Sequence, residues 1–187
     1  MGLDMYLTKK TYIGSEYEHR KVKAEINISI DGKPIPINPK RISYIEERVG
    51  YWRKANQIHS WFVKNIQDGN DDCGEYSLPK EKAVELLNIC KEIKSESKLK
   101  DGAITNGYTF ENGVKMPIVE DGKEIANPEV AERLLPTTSG FFFGSNDYDE
   151  YYMQDIDDTI QILETILNES DQSKEYFTES IYYQSSW

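Results

Sequence analysis

Apolar and polar residues alternate near the two ends of the chain and recur every three to four positions between them. Residues 3–13 (LDMYLTKKTYI) are rich in aromatic and β-branched side chains and predict a strand. Residues 22–30 (VKAEINISI) alternate strictly, the pattern of a half-buried strand. Asp31-Gly32 then turns the chain into Lys33–Ile37, where Pro34 and Pro36 allow an edge strand at best. The longest helical pattern runs from Pro39 to Gln67. Its stripe of Ile42, Ile45, Val49, Trp52, Asn56, His59, Val63 and Ile66 is spaced alternately by three and four, which places all of them on one helix face. Asn38 is the expected N-cap, with Pro39 at the first helical position. Gly50 loosens this helix near its middle, at a cost of about 1 kcal/mol relative to alanine.

QDGNDDCGEY reads as a loop by every turn signal. A second helix is predicted from Ser77-Leu78-Pro79 to about Ser95, with Ala83, Leu86, Leu87, Cys90 and Ile93 inward. Residues 96–127 are polar and punctuated by four Asx-Gly pairs, which suggests an irregular, hairpin-like insertion. A short helix near 128–135 precedes a Pro-Thr-Thr-Ser-Gly loop and a short aromatic strand, Phe141–Phe143, bracketed by glycines. The last helix spans about Tyr148 to Asn168, with Asn146 or Asp147 as cap, Glu150 completing a capping-box pattern, and Tyr152, Ile156, Ile160, Leu163 and Leu167 inward. A final strand is expected around Tyr176–Tyr183. Strands at both ends and long helices between them predict an α+β fold. The expected architecture is a single domain, 1–187, in which an antiparallel sheet including the N- and C-terminal strands packs against two to three long helices.

Composition narrows the function classes. A chain of 187 residues can bury a core without disulfide or metal. Its net charge of −11 disfavours DNA, RNA and anionic membranes as partners, because phosphate binding needs clustered Lys and Arg. A local basic pocket for a small anion remains compatible with that charge. Met1-Gly2-Leu3-Asp4 shows neither the basic nor the apolar region of a signal peptide, and no apolar run has the length of a membrane span, so a cytoplasmic location is expected. The 13 tyrosines suit half-buried walls and binding surfaces.

Three constellations are candidates for chemistry. Asn56 and His59 fall on the apolar stripe, flanked by Trp52, Arg53, Trp61, Phe62 and Asn65, which suggests a helix lining a cleft. The competing reading is a core histidine hydrogen-bonded to its neighbours. Asp68, Asn70 and Asp72 mimic the start of a calcium loop, but Cys73 and Pro79 occupy the sixth and twelfth positions, so a solvated Asx turn is favoured and no metal is expected. Phe142, Ser145, Tyr148 and Tyr151 combine stacking rings with glycines and a helix start, against the plainer reading of core aromatics beside a capped helix. The carboxylates Asp149, Asp155, Asp157 and Asp158 read mainly as a solvated helix face. Motifs for nucleotide-binding loops, zinc peptidases or serine hydrolases are absent from the sequence, so catalysis has no motif support and no cofactor is expected.

The blocks MGLDMYL, WRKANQIHSWFVKNIQDGNDDCGEY, SGFFFGSNDYDEYYMQDIDDTIQILE and YYQSSW resemble a family of small phage and prophage proteins, over roughly residues 1–13, 50–92 and 134–187. The resemblance implies a phage setting and, by analogy with signal sponges, a homo-oligomer that sequesters a nucleotide messenger of the Thoeris or CBASS type: a cyclic ADP-ribose isomer or a cyclic dinucleotide. Trp52, Trp61, Phe142 and Tyr148 would then stack on a base, and Arg53, Asn56, His59 and Asn65 would hold ribose or phosphate. Two other readings stand beside it. One is a hydrolase of such a messenger using His59 with Asp71 and Asp72. The other is an acidic inhibitor that binds a host protein.

Overall fold

The computed structural model describes residues 2–14, 26–140, 143–173 and 178–187. Its central sheet has four antiparallel strands, 44–53, 4–12, 178–186 and 76–77 in spatial order. They are β1 (Asp4–Tyr12), β4 (Tyr44–Arg53), β5 (Tyr76–Ser77) and β8 (Thr178–Ser186). Both terminal strands are therefore central, and the fold is α+β. Alternation along β1 sends Met5 and Leu7 into the core, while Tyr6 lies on the opposite face beside Tyr51 and beneath the Arg48 guanidinium. The inner face is covered by α1 (Asn56–Asn65) and α4 (Glu150–Ser173), and α4 packs in turn on α2 (Lys80–Glu96). No helix among the described residues is long and apolar enough to cross a membrane.

The long helix expected from Pro39 to Gln67 is instead a strand, a tight turn and a short helix. Only a 3-10 turn, Pro39–Arg41, follows Asn38, whose side-chain oxygen accepts from the Lys40 amide at 3.1 Å. Residues 44–53 pair along the whole of β1. Tyr44, Ile45, Val49, Tyr51 and Trp52 are good strand formers, and the cross-strand ladder outweighs their three-and-four spacing. Lys54 adopts a left-handed conformation, φ 64°, which ends the strand and redirects the chain into α1. Of the predicted stripe only Asn56, His59 and Val63 are helical, with Ile66 at the C-cap.

Gly50 has a structural reason of its own. It sits where the β1–β4 register shifts by one residue between Leu7 and Thr8, and a Cβ there would lie 2.7 Å from Ile162 Cγ2 of α4 and 3.2 Å from Leu7 Cβ. Gly50→Ala is expected to lower stability by about 1–3 kcal/mol through overpacking, read as a lower urea midpoint. An unchanged midpoint would mean that α4 can shift away from the sheet at no cost.

Residues 96–127 are more regular than their composition predicts. β6 (Leu99–Glu111) and β7 (Val114–Ile125) form one two-stranded antiparallel ribbon with a register shift between Thr105 and Tyr108. A second small ribbon joins β2 (Ser29–Ile30) and β3 (Lys33–Pro34). The predicted 22–30 strand is thus confined to its last two residues within the described chain, its first four lying outside the described residues. The second helix begins one turn's edge after Pro79, as expected, and buries Ala83, Leu86, Leu87, Cys90 and Ile93. The short helix α3 (Glu129–Leu134) leads into the 135–149 loop, where Phe143 lies in a bend; Phe141 and Phe142 fall outside the described residues. The last helix begins later and runs farther than predicted. Its cap is Asp149, whose Oδ1 accepts from the Tyr151 and Tyr152 amides at 2.9 and 3.0 Å, in place of Asn146 or Asp147. Glu150 reaches the Lys123 amide of the ribbon, so the expected capping box does not form.

Candidate functional site

The predicted site residues divide into two groups, and only one of them borders open space. Trp52 is buried and its indole N–H donates to the Thr159 hydroxyl of α4 at 2.9 Å. Trp61 packs edge-on against Phe62, and Phe62 stacks flat on Tyr183 with centroids 3.8 Å apart. These rings build the core and are closed to a ligand. Asn65 donates back to the Trp61 carbonyl of its own helix. Asp72 accepts from the Gly74 amide and the Tyr76 hydroxyl, which hold its carboxyl below the usual range. This is an Asx turn, and the described residues contain no cluster able to hold a metal ion.

His59 is 1% exposed. Its Nδ1 lies 2.7 Å from the Tyr183 hydroxyl and its Nε2 3.0 Å from Asp71 Oδ2, while the Trp187 indole N–H donates to the other Asp71 oxygen at 3.1 Å. An ionised carboxylate only accepts, so Nε2 carries the proton and Nδ1 accepts from the phenol. Burial raises the Tyr183 phenol well above its ordinary value, which keeps it a donor. The edge of the imidazole contact is closed by Phe143 at 5.2 Å. Every polar atom of this imidazole is committed, and the chain Tyr183–His59–Asp71–Trp187 ties α1 to the C-terminal strand.

Asn56 is also a structural clamp. Its amide nitrogen donates to the Phe143 and Ser145 carbonyls at 3.0 and 2.8 Å, and its oxygen accepts from the Thr138 amide at 2.8 Å. The side chain thereby holds the 138–145 loop against the start of α1. Tyr148 is half-buried against Tyr152, and its hydroxyl accepts from the Thr137 amide. Phe142 lies outside the described residues.

The open space lies on the far side of that loop. A cleft of about 620 Å³ is bordered by the β4–α1 turn, the 137–149 loop, the first two turns of α4 and the bend of the ribbon at Thr105–Tyr108. This volume is in the usual range for small-molecule sites. Among the predicted residues it gathers Arg53, Asn56, Ser145 and Tyr151. Arg53 and Lys54 line it and form no ion pair among the described residues. Tyr108 and Tyr151 also line it and are 43% and 52% exposed.

Its acidic lining was not legible as a site. Asp149 is only 2% exposed, and its Oδ2 has no hydrogen-bond partner among the described residues. Burial raises its carboxyl above the ordinary value against the two capping amides. Asp155 receives a hydrogen bond from the buried Gln57 amide at 2.9 Å, and burial pushes its carboxyl up to about 7. Both aspartates stand three residues from Tyr152, a spacing that does not separate them from the other carboxylates of the segment, since Asp157 stands three residues from Ile160. A carboxyl held near neutrality can donate or accept a proton in this setting. Comparisons with protein-family models, with curated proteins and with solved structures found no match.

Proposed function

We propose that the protein binds a nucleotide-like small molecule in this cleft and sequesters it without cleaving it, as a phage anti-defence protein would sequester an immune signal. The observation that carries the reading is the lining of the cleft: two cations, Arg53 and Lys54, that form no ion pair among the described residues, together with the buried Asp149 and Gln57 and the half-buried Asp155. A phosphate suits the two cations and a polar heterocycle the hydrogen-bonding side chains, with the exposed Tyr151 at the wall for stacking. In a chain of net charge −11, two cations that form no ion pair among the described residues and line a concave site offer an anion a local attraction. A homo-oligomer belongs to the same proposal, supported by the exposed Phe110, Val114 and Val119 along the ribbon. Sedimentation at the mass of one protomer would remove that element.

Purified protein incubated with cyclic ADP-ribose isomers and cyclic dinucleotides, filtered and then heat-denatured, is expected to deplete one nucleotide from the filtrate and release it intact. Arg53→Ala with Lys54→Ala should weaken that retention at least tenfold, a loss of about 1.4 kcal/mol. Retention unaffected by the double variant would place the ligand elsewhere. Asp155, with its carboxyl near 7, favours a second reading as general acid or base in a hydrolase of the same ligand. Recovery of a cleaved product, abolished by Asp155→Asn, would decide for it.

A further inference from the structure

The far half of the β6–β7 ribbon is apolar and exposed. Tyr108, Phe110, Val114, Met116, Ile118 and Val119 are each between 41% and 70% exposed. The register places Phe110 and Val119 on one face and Met116 and Ile118 on the other, so both faces carry apolar side chains. A two-stranded hairpin is marginal in water on its own, and contiguous apolar surface of this kind marks a protein contact. The segment is also close to neutral. In a chain of net charge −11, residues 106–119 contain one acidic residue, Glu111, and one basic residue, Lys115. Two copies of the chain repel each other least where charge is lowest.

The two edges of the ribbon differ. Asn112 and Gly113, at φ 52° and 79°, form the two-residue turn of a type I′ hairpin. The alternation of an antiparallel ladder then makes Glu111–Val114 and Thr109–Met116 the hydrogen-bonded pairs, and it turns the N–H and C=O of Phe110 away from β7. On the opposite edge Pro117 stands where an outward N–H would otherwise be, and proline has none. The base of that edge is already occupied, since Glu124 bridges to Asp149 and the Ile125 amide donates to the Tyr148 carbonyl. The ribbon is a two-stranded sheet, which leaves β6 as the edge fitted to receive a strand.

Resting on the homo-oligomer proposed above, we infer that two copies pair through the β6 edges of their ribbons, antiparallel about a two-fold axis. The product is a four-stranded sheet in the order β7-β6-β6-β7. Thr109 stands on the axis opposite Thr109 of the second copy, which sets Tyr108 against Phe110 of that copy. Threonine and aromatic pairs are favoured across strands. Each outer edge is then a β7 carrying Pro117, so the assembly closes at two. The register shift between Thr105 and Tyr108 limits the paired length, and a contact this small associates weakly, in the micromolar range.

Sedimentation velocity up to millimolar concentration is expected to show an equilibrium between protomer and dimer. Phe110→Glu alters a side chain that is 70% exposed. It should weaken association at least tenfold while the urea midpoint of dilute protein stays unchanged. Pro117→Val restores an outward N–H on β7 and should give species larger than a dimer. A Cys73→Ser background leaves only the buried Cys90. In it, Thr109→Cys should cross-link two copies on mild oxidation, because the Cα atoms of a non-hydrogen-bonded pair lie about 4.5 Å apart. Val114→Cys should not. A dimer that is indifferent to Phe110→Glu and does not cross-link at position 109 would overturn the ribbon assignment and leave the homo-oligomer standing. Sedimentation as a single protomer at every concentration would overturn both, and would give the ribbon to a different protein.

Discussion

His59→Ala is expected to destabilise the protein by about 3–5 kcal/mol, because it opens a cavity and strands two buried polar groups at once. The Tyr183 hydroxyl loses its acceptor, and Asp71 keeps only the Trp187 indole. The loss extends beyond α1. Tyr183 lies on β8, between β1 and β5 in the sheet, and stacks on Phe62, so the imidazole secures a contact between helix and sheet. Equilibrium urea unfolding should show the midpoint falling steeply. Below the transition, the remaining folded molecules should retain ligand in the cleft as the parent does, since His59 does not border it. A variant of unchanged midpoint that loses ligand binding or turnover would contradict this assignment and return His59 to the site.

Asn56→Ala is expected to cost about 2–4 kcal/mol, since three hydrogen bonds are lost and the groups that made them lie in a partly buried loop. Its effect on binding should differ from that of His59→Ala. The loop that Asn56 holds supplies Thr137, Gly140, Gly144 and Ser145 to the cleft wall, so the variant should lose affinity as well as stability. Limited proteolysis within 137–145 should accelerate relative to cleavage in the ribbon. Asn56→Asp provides a control, because its carboxylate keeps the bond from the Thr138 amide but faces two carbonyls it cannot donate to. It should behave almost as poorly as alanine. A wild-type proteolysis pattern in both variants would show that the loop is held by other contacts.

The candidate site illustrates how a polar residue on an apolar stripe can mislead in either direction. Asn56 and His59 stood out because they fell on the buried side of a helical pattern, and both are indeed buried. Burial of a polar group requires a partner, and a partner can come from a ligand or from the protein. Here the protein supplies it in full, from Tyr183, Asp71 and Trp187 for one and from the 138–145 loop for the other. Asp149 and Asp155 looked like surface residues of an acidic helix, yet they flank a cleft. What set them apart was the ribbon folded against the start of α4, with Glu124 bridging to Asp149 and Ile125 donating to the Tyr148 carbonyl. That contact lies some 25 residues away in sequence and leaves no trace in local periodicity.

Local pattern alone determined β1, α2, most of α4, the C-terminal strand and the α+β class, because each of these elements has one face buried and one solvated, and that asymmetry is written into residue order. It also determined the negative charge, against which two cations without an ion pair among the described residues are informative. The tertiary structure decided the rest. Pairing with β1 turned Tyr44–Arg53 from an apparent helix into a strand, since a ladder to a partner strand and the fit of Gly50 against Ile162 depend on residues remote in the chain. The cleft, too, is made by four segments that only the folded chain brings together, and the charge states of its aspartates follow from burial, a property that residue order does not carry.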